Sequence, residues 1–158
     1  MIVSQQQPLL AHPERPREGG SSRLVVEGAV GILVKPDGSF LLTSRPKGKV
    51  YEGYWEFPGG KLEAGEDVQG ALRRELQEEL GISVQGVQLS QVELVDYPHA
   101  LVRLNFCKVR KWTGELQMRE AQSFRWQQLP VDVSPILPGA VPVLKMLAQE
   151  RGFSGATH

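Results

Sequence analysis

Residues 60–82 read GKLEAGEDVQGALRRELQEELGI and combine a strong helix signal with an unusual density of glutamate. Apolar residues recur at every fourth position of this stretch, at Val68, Leu72, Leu76 and Leu80. This period predicts a helix over residues 67–80, with one apolar stripe that faces a core. Asp67 suits the positive end of the helix dipole, and Gly81 fits the left-handed residue that ends such a helix.

The same helix carries three carboxylates, Glu75, Glu78 and Glu79, at the spacing i, i+3 and i+4. At about 100° per residue they fall within roughly 100° of arc. Their repulsion is stronger beside an apolar stripe, where they are partly shielded from water, and Arg74 can relieve only part of it. A hard divalent cation such as Mg²⁺ would neutralise the cluster. Zinc is not expected, since the stretch has no His or Cys. For the helix alone, a solvated acidic face paired with arginine is the alternative.

The whole stretch narrows the choice between a metal site and a solvated acidic face. It reads G-x5-E-x7-R-E-U-x-E-E-x-G-U, where U is an aliphatic residue. The fixed positions are Gly60, Glu66, Arg74, Glu75, Leu76, Glu78, Glu79, Gly81 and Ile82. Typical residue frequencies give a chance match on the order of 10⁻⁸. The pattern is identified as the Nudix box, and the chain therefore resembles the Nudix hydrolases.

The resemblance extends over about residues 25–147 and implies the Nudix fold. That fold is an α/β/α sandwich with a mixed β-sheet, of the α/β (α+β) class. The flanking runs LLTSRP, YWEFPGGK, DYPH and REAQ are similar to the MutT-type branch. Enzymes of that branch hydrolyse nucleoside triphosphates, in particular 8-oxo-dGTP, to the monophosphate and pyrophosphate. The implied role is sanitation of the nucleotide pool in DNA repair, with Mg²⁺ as the cofactor and Mn²⁺ as its substitute.

The resemblance also implies a catalytic set. Glu75, Glu78 and Glu79 would be the core metal ligands. One of these carboxylates, or a neighbouring one, would help to deprotonate the attacking water. Arg74 would orient the glutamates by charge-assisted hydrogen bonds. Glu66 would have a structural role at the junction between loop and helix.

Further metal ligands are expected outside the helix. The carbonyl of Gly59 or Gly60 would complete the coordination. Glu120 lies where MutT-like proteins place another acidic group that faces the metals, and its alternative is a plain surface glutamate. The expected metal ligands are thus Gly59, Gly60, Glu75, Glu78, Glu79 and Glu120.

Substrate contacts are expected at Arg45, Phe57 and Tyr97. Arg45 corresponds to an arginine that contacts the base or the phosphate in MutT-like enzymes. Phe57 would pack near the base, with a purely structural core position as the alternative, and Tyr97 is a candidate of the same kind. One position departs from the branch: Ala140 stands where MutT-like chains usually carry an asparagine that reads the guanine edge. Losing such a contact can cost orders of magnitude in discrimination, so the preferred base stays open.

Three functions are compatible with these residues. The first is a MutT-like nucleoside triphosphate pyrophosphohydrolase. The second is a Nudix hydrolase of another nucleoside diphosphate-linked substrate, such as a sugar nucleotide or a dinucleotide. The third is a catalytically silent Nudix domain that binds nucleotides or regulates. Silent domains typically lose box glutamates, and all of them are present here, which favours an enzyme.

Composition limits the partners. Lys plus Arg equals Asp plus Glu at 18 each in 158 residues, without the basic excess of a duplex-binding protein. No apolar run approaches the roughly 18 residues of a membrane span, and no secretory signal is evident. We therefore expect a cytoplasmic monomer or homodimer whose partner is a small nucleotide, with no nucleic acid polymer and no membrane.

The chain is predicted to form one Nudix domain at residues 24–150, between a disordered extension at 1–23 and a loose tail at 151–158. Strands are predicted at 24–34 and 40–43 as a hairpin, at 55–57, within 84–97, at 101–112 and at 123–127. A C-terminal helix is predicted with Pro142 in its first turn. The lone Cys107 lies in an apolar run and is expected to be a small buried side chain.

Overall fold

The computed structural model describes residues 9–11, 24–98 and 100–158. In chain order its elements are β1 (Leu9–Ala11), β2 (Val25–Leu33), β3 (Phe40–Ser44), β4 (Trp55–Glu56), β5 (Gly59–Lys61), α1 (Val68–Leu80), β6 (Ser83–Gln85), β7 (Gln88–Tyr97), β8 (Ala100–Val109), β9 (Lys111–Thr113), β10 (Phe124–Gln127), a 3₁₀ turn (Pro138–Ala140) and α2 (Val141–Glu150). No helix of the described residues is long and apolar enough to cross a membrane. Apart from β1, the extension predicted at 1–23 lies outside the described residues.

A five-stranded mixed sheet forms the centre of the molecule, in the order β1-β7-β8-β2-β5. Strands β2 and β8 run parallel, and the other neighbours are antiparallel. The predicted pairing of residues 101–112 with the preceding strand is confirmed by β7 and β8, in which Val95 faces Val102. A smaller sheet joins β10, β3 and β4, and β6 pairs with β9.

Helices cover both faces of the large sheet. Successive residues of a strand point to opposite faces, so Ile32 packs in the cluster that contains α2 and Leu33 in the cluster that contains α1. Within the apolar stripe of α1, Leu72, Leu76 and Leu80 are fully buried and Val68 is partly buried. The expected α/β/α sandwich around a mixed sheet is therefore confirmed.

The first helix begins and ends where the sequence predicts. The Asp67 carboxylate caps it by accepting a hydrogen bond from the Gly70 N–H at 2.7 Å. Gly81 ends it with φ at 71°, a conformation that glycine adopts without steric cost. These two ends fix the first residue and the last residue of the carboxylate-bearing helix.

The predicted hairpin of β2 and β3 is wrong beyond its turn. The Gly38 N–H donates to the Lys35 carbonyl at 2.9 Å, and a single bridge joins Val34 to Phe40. The two strands then enter different sheets. The physical reason is that β5, which was not predicted as a strand, occupies this edge of β2 by pairing Gly59 with Val30.

The segment after α2 is attached to the domain by backbone hydrogen bonds. The Phe153 N–H donates to the Ala148 carbonyl at 2.9 Å, and the Val131 N–H donates to the Thr157 carbonyl at 2.8 Å. Residues 151–158 contain no helix or strand. The expected tail thus lacks regular structure but is anchored at both of these points.

Candidate functional site

Two glycines bring the loop before α1 close to the helix and to β2. A Cβ on Gly59 would lie 2.1 Å from the Ala29 carbonyl oxygen, and a Cβ on Gly60 would lie 2.2 Å from the Glu75 Oε2. Real Cβ atoms do not approach so closely, so only glycine fits at position 59, where the obstacle is backbone, and a side chain at position 60 would displace the Glu75 carboxylate. The sequence PGGK therefore sets the carboxylate of Glu75 directly against the backbone of β5.

An open cavity of about 470 Å³ lies over this loop. Charged side chains of both signs line it, together with Gly59 and Gly60: Arg45, Lys49, Glu56, Lys61, Glu75, Glu79 and Glu120. Glu78 is not among the lining residues. Its side chain is 57% exposed and pairs with Arg74. The structure thus brings two of the three helix carboxylates together with Glu120 and leaves the third on the outer side.

Arg74 connects the loop to the carboxylates. Its Nη1 donates to Glu75 at 2.8 Å and to Glu78 at 3.2 Å, and its Nη2 donates to the Lys61 carbonyl at 2.9 Å. Its Nε and Nη2 also bind the two Glu66 carboxylate oxygens, at 2.7 and 2.8 Å. These bonds to Glu66 are the main reason why the pKa of Arg74 is raised. Arg74 thus contacts Glu75 and Glu78, the carboxylates that it is expected to orient.

Glu66 holds the junction between loop and helix. Its carboxylate accepts a hydrogen bond from the Glu63 N–H at 2.7 Å in addition to those from Arg74. The bond from Arg74 is the largest cause that lowers the pKa of Glu66 to about 2. This contact geometry matches the structural role expected for the residue.

Glu79 is the most strongly perturbed carboxylate of the cavity. Its side chain is buried, with 8% exposed. Burial, together with the negative charges of Glu56, Glu120 and Glu75, raises its pKa to about 9. Burial also raises the pKa of Glu75, against the opposing effect of Arg74. The protein alone therefore disfavours the ionised form of Glu79, and a cation bound beside it would stabilise that form.

The donor set fits a hard cation that binds jointly with a substrate. Within residues 9–11, 24–98 and 100–158, no three His, Cys, Asp or Glu side chains form a complete metal centre. Mg²⁺ keeps several waters and is usually held by one or two carboxylates plus substrate phosphates. Glu75, Glu79 and Glu120 supply such oxygens on the cavity wall, and Gly59 and Gly60 lie beside them.

A partly buried ion pair joins this cavity to a second pocket. Arg45 Nη1 donates to both oxygens of Glu56, at 3.1 and 3.2 Å, and Arg45 Nε donates to the Val50 carbonyl at 2.6 Å. Burial raises the pKa of Glu56, and the charge of Arg45 opposes that shift. Sequence reasoning missed Glu56. The available signal was a charged residue inside the otherwise apolar strand that leads to Phe57.

The second pocket is apolar and narrow, at about 60 Å³. All three expected substrate residues, Arg45, Phe57 and Tyr97, line it together with Ala140. Phe57 also contacts Phe40, with ring centroids 5.9 Å apart, so it is part of the core as well. Because Arg45 and Glu56 line both spaces, the apolar pocket opens beside the carboxylates.

Cys107 has the structural position expected from its sequence context. It is fully buried in the core cluster that contains α1. Burial raises the pKa of its thiol to about 11. A thiol in this state stays protonated near neutral pH, so it lacks the thiolate that a nucleophile needs.

Comparison with known sequences finds relatives over the region that contains the carboxylate helix and most of the central sheet. The family profile described as the NUDIX domain matches residues 26–144. An 8-oxo-dGTP diphosphatase of Haemophilus influenzae is 34% identical over 127 residues, which cover 80% of this chain and 93% of that protein. A CTP pyrophosphohydrolase of Escherichia coli is 32% identical, with coverage of 73% and 87%.

Comparison with solved structures gives the same fold. A MutT structure from a study of Aliivibrio salmonicida and Vibrio cholerae matches with a TM-score of 0.69 at 32% identity, covering 80% of this chain and 99% of that chain. The MutT NUDIX hydrolase of Burkholderia pseudomallei matches with a TM-score of 0.71 at 26% identity, covering 78% and 98%. The likeness therefore includes the carboxylate helix and the sheet that supports it.

Proposed function

The chain belongs to the NUDIX family as a hydrolase of MutT type, and from that premise we propose that it hydrolyses a nucleoside triphosphate to the monophosphate and pyrophosphate with Mg²⁺. The observation that carries this proposal is the cavity in which the buried Glu79, the half-buried Glu75 and the exposed Glu120 share space with three cations. Such a cavity can hold a metal-bound polyphosphate, whereas a solvated acidic face would not bury its charges.

The carboxylates of the cavity would bind the metal and accept a proton. Glu75, Glu79 and Glu120 would supply side-chain oxygens, Gly59 and Gly60 would supply carbonyls, and Glu78 would contribute from its exposed side. When bound, Mg²⁺ supplies positive charge that stabilises the negative charge on the phosphate oxygens. One of the carboxylates accepts the proton of the attacking water, a contribution of typically 10²–10⁴-fold. Arg74 orients Glu75 and Glu78 through the hydrogen bonds described above.

The cations of the cavity would bind the polyphosphate. Lys49 and Lys61 line the cavity beside the carboxylates, and a lysine ammonium is a compact charge suited to phosphate oxygens. The Nη1 and Nε groups of Arg45 already bind Glu56 and the Val50 carbonyl. Arg45 would therefore act mainly by positioning Glu56 between the phosphate and base regions.

The base would enter the apolar pocket between Phe57 and Tyr97. Ala140 offers no hydrogen-bonding side chain there, so the polar side chains available at the pocket wall are those of Arg45, Glu56, Lys61 and Tyr97. This absence of an amide does not favour oxidised guanine over other bases. A pyrimidine triphosphate is the second candidate substrate, supported by the narrow pocket and by the likeness to a CTP pyrophosphohydrolase.

A substrate panel tests the proposal. The full chain is incubated with Mg²⁺ and 8-oxo-dGTP, dGTP, CTP, dCTP, a sugar nucleotide or a dinucleotide, and pyrophosphate and phosphate are measured separately. Release of pyrophosphate from one or more triphosphates supports the proposal, and the ratios of kcat/KM identify the base. Turnover of only the sugar nucleotide or the dinucleotide would replace it with the second function above. Binding without hydrolysis with any divalent metal would replace it with a silent module.

Four further expectations belong to this proposal. We take residues 24–150 as the catalytic domain, the small-molecule nucleotide as its partner, and the cytoplasm as its location. The assembly is a monomer or a homodimer. Size-exclusion chromatography with light scattering, and limited proteolysis of the full chain, would test the assembly and the domain limits.

A further inference from the structure

A second charged surface lies at the other end of the central strand pair. Because β2 and β8 run parallel, their carboxyl ends reach the same edge of the sheet, where the Val34 N–H donates to the Val109 carbonyl at 2.9 Å. Lys35 follows the first strand, and Arg110 follows the second. Pairing with β5 ends at Val30. Five residues at about 3.3 Å each therefore separate Lys35 from the cavity loop by about 16 Å along the strand.

Four cations gather at this edge. Lys35, Arg110 and Arg151 line a cavity of about 560 Å³, and Lys35, Arg110 and Lys111 line an adjoining cavity of about 450 Å³. Arg151 arrives from the carboxyl end of α2. We call Lys35, Arg110, Lys111 and Arg151 the basic surface.

The basic surface carries positive charge that is not neutralised by neighbouring carboxylates. Asp37 is the only carboxylate of the described residues that lines either cavity. It accepts hydrogen bonds from the Ser39 N–H at 2.9 Å and from the Ser39 hydroxyl at 2.7 Å, and these bonds lower its pKa. Glu150 pairs instead with Lys108 at 2.5 Å. Four cations and one carboxylate leave a net positive edge on a chain whose total charge is zero.

Aromatic rings accompany the cations. The Lys35 ammonium lies 4.1 Å from the centre of the Trp126 ring, and Trp126 stacks on Trp112 at 5.9 Å with 12° between the planes. Trp112 is half-buried and lines the same cavity as Lys35, Arg110 and Lys111. Cations beside an aromatic side chain are the combination that binds phosphates and stacks a base of unpaired nucleic acid.

We propose that the basic surface is a second nucleotide-binding site, which binds the phosphates of single-stranded nucleic acid or of a free nucleotide. Lys35, Arg110 and Lys111 contact phosphate, and Trp112 contacts the base. The neutral charge of the chain argues against duplex binding, which needs an extended basic face, whereas one or two phosphates need only a local cluster. This site is separate from the cavity of the proposed hydrolase.

Fluorescence anisotropy of a labelled ten-residue oligothymidylate without terminal phosphate tests the proposal on the full chain at low salt. Arg110→Glu and Lys111→Glu exchange exposed side chains, and we expect each to raise Kd at least about 5-fold. Lys145→Glu, on the exposed face of α2, is the matched control and should leave Kd unchanged. All three variants should keep the wild-type rate of triphosphate hydrolysis, which shows that they are folded and that the two sites are distinct.

Competition identifies the source of the phosphate. The two competitors, dTMP and inorganic tripolyphosphate, are added at equal concentrations. If dTMP displaces the oligonucleotide and tripolyphosphate does not, a free-nucleotide site is supported. If neither competitor displaces the oligonucleotide, and its association constant falls steeply as the salt concentration rises, a single-strand site is supported. The proposal is overturned if the wild-type chain does not bind the oligonucleotide at tens of micromolar. It is equally overturned if Lys145→Glu weakens binding as much as Arg110→Glu does.

Discussion

At the scale of single residues, Glu79 carries the largest expected effect on the reaction. We expect Glu79→Gln to lower kcat by at least about 100-fold, the lower end for a catalytic carboxylate. Because the pKa of Glu79 is raised to about 9, folding without metal near neutral pH must protonate this carboxylate, which costs stability. Glutamine avoids that cost, so Tm without metal should stay equal or rise. Steady-state kinetics and thermal unfolding check the two parts. Glu115→Gln, at an exposed position, is the control, and a near wild-type kcat for Glu79→Gln would contradict the assignment.

The two lysines of the loop before β4 provide a matched pair. Lys49 lines the carboxylate cavity and Lys47 does not, although both side chains are exposed. A lost hydrogen bond to a charged group costs about 1.5–3 kcal/mol. We therefore expect Lys49→Ala to lower kcat/KM for the triphosphate at least about 10-fold, and Lys47→Ala to change it by less than about 2-fold. Equal effects in initial-rate assays would show that the loop acts only through its general charge.

Spacing in the sequence identified the residues that one helix presents together, but not their surroundings. It placed Glu75, Glu78 and Glu79 on one arc, because helical geometry depends only on position in the chain. It could not separate the exposed Glu78 from the buried Glu79, since the loop at Gly60 decides which part of the arc is covered. Sequence reasoning also missed Glu56, because its surroundings depend on the pairing between β3 and β4.

At the scale of elements, the start of α1 should contribute measurably to stability. Asp67→Ala removes the side chain that accepts the hydrogen bond from Gly70, and we expect a loss of about 1 kcal/mol in the free energy of unfolding. Asp67→Ser should retain most of the stability, because serine also caps helices. Urea unfolding followed by circular dichroism measures both variants. Equal stability of Asp67→Ala and wild type would show that the cap contributes nothing here.

Element type was easier to predict than element pairing. Helix α1 followed from its apolar period and its end residues, and β7 and β8 followed from alternation and proximity in the chain. The hairpin of β2 and β3 failed because the edge of β2 was taken by β5, a three-residue strand rich in glycine. A strand so short and so poor in β-forming residues has no signal of its own, and its position depends on the close approach that Gly59 and Gly60 permit.

At the scale of the whole molecule, the reactivity of the Cys107 thiol measures whether the folded core opens. The thiol lies between the sheet and α1, and its raised pKa of about 11 keeps it protonated at all pH values well below that. We expect no reaction with Ellman's reagent at pH 8 in the folded chain and one equivalent in denaturing urea. A rapid reaction in native buffer would show that the core opens locally around β8.

The basic surface could not be anticipated from composition. Its cations come from the ends of β2, β8 and α2, which are far apart in the sequence. The equal numbers of acidic and basic residues give no indication of a local positive charge. Only the parallel pairing of β2 and β8 brings Lys35 and Arg110 to one edge. The charge of this edge is thus a property of the topology and not of any continuous segment.

Under the proposed function, the shared wall formed by Arg45 and Glu56 would link substrate choice to turnover. Glu56 lines the apolar pocket, and its charge also raises the pKa of Glu79. Any exchange at Glu56 that adapts the pocket to a new base must therefore alter the field at the hydrolytic carboxylates. Divergence of this scaffold toward new nucleotides would require paired substitutions, in which the second restores the electrostatic balance that the first disturbs.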